Sequence, residues 1–270
     1  MKCMNDQKEN IVNGPLVSEN YKNPTISHIV NSTISEWDIR AAHLQAIKII
    51  KGDKVYNELS KLPKLERNKK IGIMQTYDAK LGKQLSSTVF EFKKTFMEAN
   101  NVRISNIVET TKDSLVLCQK IPNYTTFNIQ GTDIEFVNKE GFYSSYYRIT
   151  NEIRIFFDSM SNSIRIKGIN SDMVNNSVFV EKYLKKILIS LESITTMGQI
   201  QCMKMMKNLR LEYLNSEDIE IYKYLKNNKF RYVVGEDIID TDVEINDQRA
   251  TLIKIDNYKD FVIPLMKTVI

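Results

Sequence analysis

The stretch VRISNIVETTKDSLVLCQKI, residues 102–121, constrains the fold more than any other part of the chain. Two apolar runs rich in β-branched residues flank the polar residues Thr110 to Asp113, a pattern that reads as strand, turn, strand. A hairpin buries a face only against something else, and the preceding segment supplies a partner. Leu85, Val89, Phe92 and Phe96 recur at helical spacing until Asn100-Asn101 ends the run.

The same alternation of types continues outward. Ile34, Trp37 and Ile39 suggest a short strand, after which Ala42, Leu44, Ala46, Ile47 and Ile50 fit a helix up to Gly52. This delivers Asp38 near a strand end with a helix following at once. Downstream, TDIEFVNKEGFYSSYYRITNEIRIFFDSMSNSIRIKGI reads as several short β segments, with turns expected at Asn138–Gly141 and Ser159–Asn162. From Phe179 to about Leu214 the spacing is helical, interrupted near Gly198, and a small α/β tail follows. Residues 1–30 are polar, carry Pro15 and Pro24 and show no sustained period, so they read as an arm. The expected organisation is an arm at 1–30, an α+β core at 31–170 with an antiparallel sheet at its centre, and a helical region with a small α/β tail at 171–270.

Composition removes several classes of function. No run approaches the roughly 20 apolar residues of a membrane span, and the N-terminus lacks the apolar stretch of a signal peptide, so a cytoplasmic protein with no membrane partner is expected. Cys3, Cys118 and Cys202 are scattered, and only His28 and His43 could join them at a metal. This excludes a structural zinc or a disulfide framework and leaves only a hard cation held by carboxylates. A net charge of +5 permits contact with nucleic acid without demanding it. No glycine-rich phosphate loop, Ser-His-Asp order or Cys-His pair is present, so Walker-type ATPase and hydrolase chemistry has no residues to stand on.

Individual residues leave alternatives open. An Asp after a strand, such as Asp38 or Asp113, usually caps a helix or closes a turn, and the less common alternative is a ligand. The basic run from Lys64 to Lys70 makes either a solvated face or a phosphate-contacting surface ahead of Tyr77. The aromatics of FYSSYYRI, 142–149, suit sheet packing or base stacking, and the Met-rich MKMMKNLRLEYL reads as core or interface.

Three segments resemble, in order and spacing, motifs A, B and C of family B DNA polymerases. They are EWDIRAAHLQA (36–46), RNKKIGIMQTYDAKLG (67–82) and IVETTKDSLVL (107–117), and together they span less than half of the chain. Asp38 takes the position of the motif A aspartate, and His43 falls where the family carries a Tyr. Lys70 and Tyr77 reproduce the Lys-to-Tyr spacing of motif B, while Met74, Gln75 and Asp78 depart from it. Asp113 and Ser114 match the end of the motif C turn, in which Thr111 and Lys112 replace the first aspartate and its neighbour.

The resemblance implies a palm-like antiparallel core at 31–170 and a minimal Mg²⁺-dependent nucleotidyltransferase of a viral or mobile-element genome, such as a phage. Asp38 and Asp113 would be the catalytic metal ligands, since in-line phosphoryl transfer uses two cations about 4 Å apart held by neighbouring carboxylates. Arg67 and Lys70 would meet the triphosphate, Tyr77 would pack on the nascent pair and His43 would lie under the sugar. The partners would be DNA and nucleotides. The alternative is a palm-derived protein without chemistry that binds nucleic acid or a protein partner, which the Thr111-Lys112 replacement favours because a cation beside Asp113 competes with a metal.

Overall fold

The computed structural model describes residues 21–119, 122–168 and 179–215, together with elements at 223–226, 229–234, 237–239 and 262–269. Most of the expected N-terminal arm, Cys3 and the tail from 240 to 261 lie outside the described residues. The fold is α+β with antiparallel sheets, and it divides into two compact units, one of residues 1–25 with 33–142 and one of residues 26–32 with 143–270.

The first unit is built on a five-stranded sheet. The short strand β1 (His28–Ile29) belongs to the other unit, and β2 (Ile34–Ile39) runs through the middle of this one. The sheet is completed by β3 (Ile107–Thr110), β4 (Ser114–Cys118), β5 (Thr126–Ile129) and β6 (Thr132–Tyr143), in the order β3-β4-β2-β6-β5. Alternation along β2 sorts its residues into two faces. Trp37 and Ile39 join Leu115, Leu117, Ile134 and Phe136 in a core against the helices, while Glu36 and Asp38 point to the opposite face.

Four helices lie between β2 and β3, namely α1 (Ala42–Lys51), α2 (Asp53–Ser60), α3 (Lys64–Tyr77) and α4 (Ala79–Ala99). Helix α4 carries the expected Leu85, Val89, Phe92 and Phe96 inward and extends six residues further toward the N-terminus. Asp78 explains that start. It breaks the chain between α3 and α4, and its carboxylate accepts from the Leu81 N–H at 3.0 Å as the helix cap. This bond holds its carboxyl below the usual carboxylate range. Phe96, fully buried, stacks on Phe136 at 4.2 Å and meets Trp37 at 5.8 Å between ring centroids. Burying a phenylalanine of this kind stabilises by roughly 1.5–3 kcal/mol from area alone.

One turn expectation fails. Residues 138–141 lie within β6 rather than ending it. Asn138 Oδ1 accepts from the Gly141 N–H at 3.1 Å, with Gly141 at φ 91°, a value glycine tolerates without strain. The turn chemistry is present, but it kinks a continuing strand instead of reversing it.

The second unit contains the sheet β1-β7-β8-β9, with β7 (Ser145–Arg148), β8 (Arg154–Asp158) and β9 (Ser163–Lys167) joined as antiparallel neighbours. The β8–β9 connection falls at the expected Ser159–Asn162. A π-helical turn (Phe179–Leu184) leads into α5 (Lys185–Glu192), α6 (Ile194–Met197) and α7 (Gln199–Asn215). Gly198, at φ 79°, separates the last two as its position in the sequence suggests. Tyr147, Ile155, Phe157, Leu184, Leu188 and Met206 form their common core. Strands β10 (Lys223–Lys226), β11 (Lys229–Val234) and β12 (Asp237–Ile239) form a small antiparallel sheet, and α8 spans Ile263–Val269.

Candidate functional site

Asp38 and Asp113 are brought together. In the antiparallel pairing of β2 with β4, Asp38 sits opposite Ser114, and the Ile39 N–H donates to the Asp113 carbonyl oxygen at 2.9 Å. Asp38 is not the helix cap, because α1 starts from Ala41, a left-handed residue with no side-chain cap. Asp113 ends the β3–β4 turn and is exposed. That turn closes through the Thr111 N–H to Ser114 O and through the two hydroxyls of Thr111 and Ser114, 2.6 Å apart, with no call on the Asp113 carboxylate.

The charge beside Asp38 comes from an element that sequence reasoning did not connect to it. Lys139 of β6 reaches Asp38 Oδ2 with its ammonium at 2.7 Å. The side chains are 41% and 29% exposed, so water screens the pair in part. The second oxygen, Oδ1, is buried with no hydrogen-bond partner among the described residues. Two residues along the same face, Glu36 and Glu109 both lie opposite Val116, on either side of it, at 2% and 1% exposure.

This donor set fits a pair of divalent cations poorly. Lys139 already supplies a full positive charge to Asp38, and Lys112 adjoins Asp113. Among the described residues no three His, Cys, Asp or Glu side chains converge as a metal group.

The residues expected to bind a nucleotide separate into two places. Arg67, Lys70 and Tyr77 lie on α3, where Leu65, Lys69, Ile73 and Tyr77 form an i, i+4 row. This row faces solvent, with Leu65 83%, Ile73 48% and Tyr77 88% exposed. Lys64, Lys69 and Lys70 are also exposed and Arg67 is half-buried, so α3 presents a basic surface set with apolar and aromatic groups. His43, by contrast, lines a pocket of about 370 Å³ between the first turn of α1, the α4 segment from Ser86 to Lys93 and Lys112 of the hairpin turn. Lys93 is 3% exposed, and its ammonium donates to the Thr111 carbonyl oxygen at 2.7 Å, fixing the turn to α4.

With this geometry in hand, comparison with known families is decisive at one level. The family model of the Bacteriophage PBS1 gene 130 protein matches residues 15–270. The chain belongs to this family of phage proteins. No curated protein matches it. For this gene 130 family member, no described helix is long and apolar enough to cross a membrane.

Sequence reasoning missed Glu36, Glu109, Lys93 and Lys139. Glu36 was within reach, since a residue two positions before Asp38 on a strand shares its face. Lys139 was not, because it is 101 residues from Asp38 and sits where a turn was expected.

Proposed function

We propose that this phage protein binds nucleic acid, with DNA as the expected partner, through α3, on a polymerase-palm-like core that works without metal chemistry in the host cytoplasm. The exposed row on α3 carries the reading. Lys69 in the row, with Lys64, Arg67 and Lys70 elsewhere on α3, supplies positive charge for phosphates, and releasing counterions from phosphates supplies sequence-independent affinity. Tyr77 at the end of the row offers a face on which a base stacks, an interaction worth roughly 1–3 kcal/mol per base. The ion pair between Lys139 and Asp38 favours binding over catalysis, because it meets the aspartate's charge internally.

The adjacency of Asp38 and the Asp113 backbone favours a second reading, a Mg²⁺-dependent nucleotidyltransferase in which Lys139 is displaced and Arg67, Lys70, Tyr77 and His43 serve the nucleotide. One titration separates the two. Fluorescence anisotropy of a labelled single-stranded oligonucleotide is followed with Mg²⁺ and with chelator, for the wild type and for Lys69→Glu/Lys70→Glu. The proposed reading expects binding that ignores chelator, weakens with salt and drops by at least about tenfold in the double variant. Binding that collapses with chelator, joined by primer extension that Asp38→Asn abolishes, would establish the second reading. Absence of binding overturns both.

A further inference from the structure

The pocket between α1, α4 and the hairpin turn is not used by the α3 surface, and its lining has a definite chemistry. Its lining carries two nitrogen-bearing side chains from different elements, the His43 imidazole and the exposed Lys112 ammonium. Its wall carries the half-buried ring of Phe90 on α4, an apolar surface for a planar group, with the core residue Val89 beneath the lining. The buried Lys93 also belongs to the lining, and its bond to Thr111 O holds the turn in place. Glu91 adds an acceptor for a hydroxyl or amino group. A volume of about 370 Å³ is near the small end of ligand pockets, so it suits one small ligand and excludes a duplex. Groups for an anion, an aromatic face and hydrogen-bonding side chains in the lining of one small pocket match the parts of a single nucleotide.

We infer that this pocket binds one nucleoside monophosphate unit, with its phosphate at Lys112 and His43 and its base along Phe90. The choice of a nucleotide among phosphorylated aromatic ligands rests on the nucleic-acid reading above. The unit is either free or the phosphorylated end of a strand, and the chemistry recognised is the same in both.

Isothermal titration of dTMP into the full chain tests this, with thymidine and inorganic phosphate as the separate halves. The inference expects dTMP to bind more tightly than either half. Lys112→Ala, which removes an exposed charge at the turn, should weaken dTMP about tenfold, the scale of a charge-assisted hydrogen bond. Ser87→Phe, on an exposed position of α4 at the pocket rim, should block binding while the thermal melt stays intact. Competition by a 5′-phosphorylated oligonucleotide, and not by its unphosphorylated twin, assigns the ligand to strand ends; dTMP binding that neither oligonucleotide displaces assigns it to the free nucleotide. Lack of dTMP binding, or binding unchanged in both variants, overturns the inference. Its failure is distinct from that of the α3 reading. A protein that binds DNA but not dTMP keeps the helix and loses the pocket, and one that binds dTMP equally well with Lys69→Glu/Lys70→Glu keeps the pocket whatever becomes of the helix.

Discussion

Each unit carries an acidic residue on or beside its sheet, and the two are treated in opposite ways. In the second unit Glu192, the last residue of α5, is nearly fully buried and accepts hydrogen bonds from both Ser144 and Ser145 hydroxyls, while the Asn31 side chain donates to its carbonyl oxygen at 2.9 Å. Burial pushes the neighbouring Tyr147 phenol well above its ordinary value, against a lowering contact from Ser145 and with the charge of Glu192 adding to the rise. Both hydroxyls converge on one carboxylate oxygen, Oε1, of a group kept largely from water. In the first unit Asp38 keeps water contact, spends one oxygen on a lysine from a distant strand and leaves the other without a partner among the described residues. A buried carboxylate that accepts from two hydroxyls ties a helix to a strand, whereas Asp38 at its strand end is held by one lysine and keeps a buried oxygen unmatched among the described residues. Burial of charge alone does not mark a site.

The chain's single tryptophan, Trp37, lies in the core of the first unit and gives a way to break this comparison. The largest effect is expected from Phe96→Ala, which removes the ring that contacts Trp37, Phe127 and Phe136. It should cost about 3–5 kcal/mol, read as a lower denaturation midpoint in tryptophan fluorescence. Next comes Glu192→Gln, which leaves the buried Ser145 hydroxyl and the part-buried Ser144 hydroxyl competing for one weaker acceptor and should cost about 1–3 kcal/mol. This loss is expected in far-UV circular dichroism with the fluorescence midpoint unmoved; a matching fluorescence shift would say that the units unfold as one. Lys139→Met should change stability by about 1 kcal/mol or less, since the pair is part-exposed. If its first effect were instead a gain of Mn²⁺ binding, read by calorimetry, the lysine would be shown to exclude a cation.

The smallest effect concerns pH. The Asp78 carboxyl is held below its usual range by the Leu81 N–H, so its folded value lies under its unfolded one. Its contribution is therefore complete above the unfolded value near 3.9 and fades as pH falls through the folded value. Melting temperatures of the wild type and Asp78→Ala should differ near neutrality and converge in acid. A gap that stays constant on acidification would remove the cap from the account.

What could be read in the sequence was local. The β3–β4 hairpin follows from its β-branched runs, and α4 from its regular spacing of Leu85, Val89, Phe92 and Phe96. The strand-to-helix step after Asp38 was also legible, although Ala41 rather than Asp38 begins α1. Non-local pairing was harder. The neighbourhood of Asp38 and Ser114 was reached only through resemblance to a known motif order, and Lys139 lay hidden because an Asn-Lys-Glu-Gly run kinks a strand as readily as it turns one. The basic character of α3 was plain, but that Leu65, Ile73 and Tyr77 form one exposed row was not. The pocket joins three elements far apart in the chain, and no period announces that.

The bond from Lys93 to the Thr111 carbonyl has a consequence for how this part of the molecule responds to load. Helix α4 is 21 residues long, a rod of about 30 Å, and its packed face makes it stiff. Pinning the hairpin tip to that rod makes Lys112 and the wall beside Phe90 parts of one solid body. A molecule seated there would meet a mould already set when the chain folded, so its association should be quick and show little reorganisation. Any pull on the tip would be felt along the whole rod.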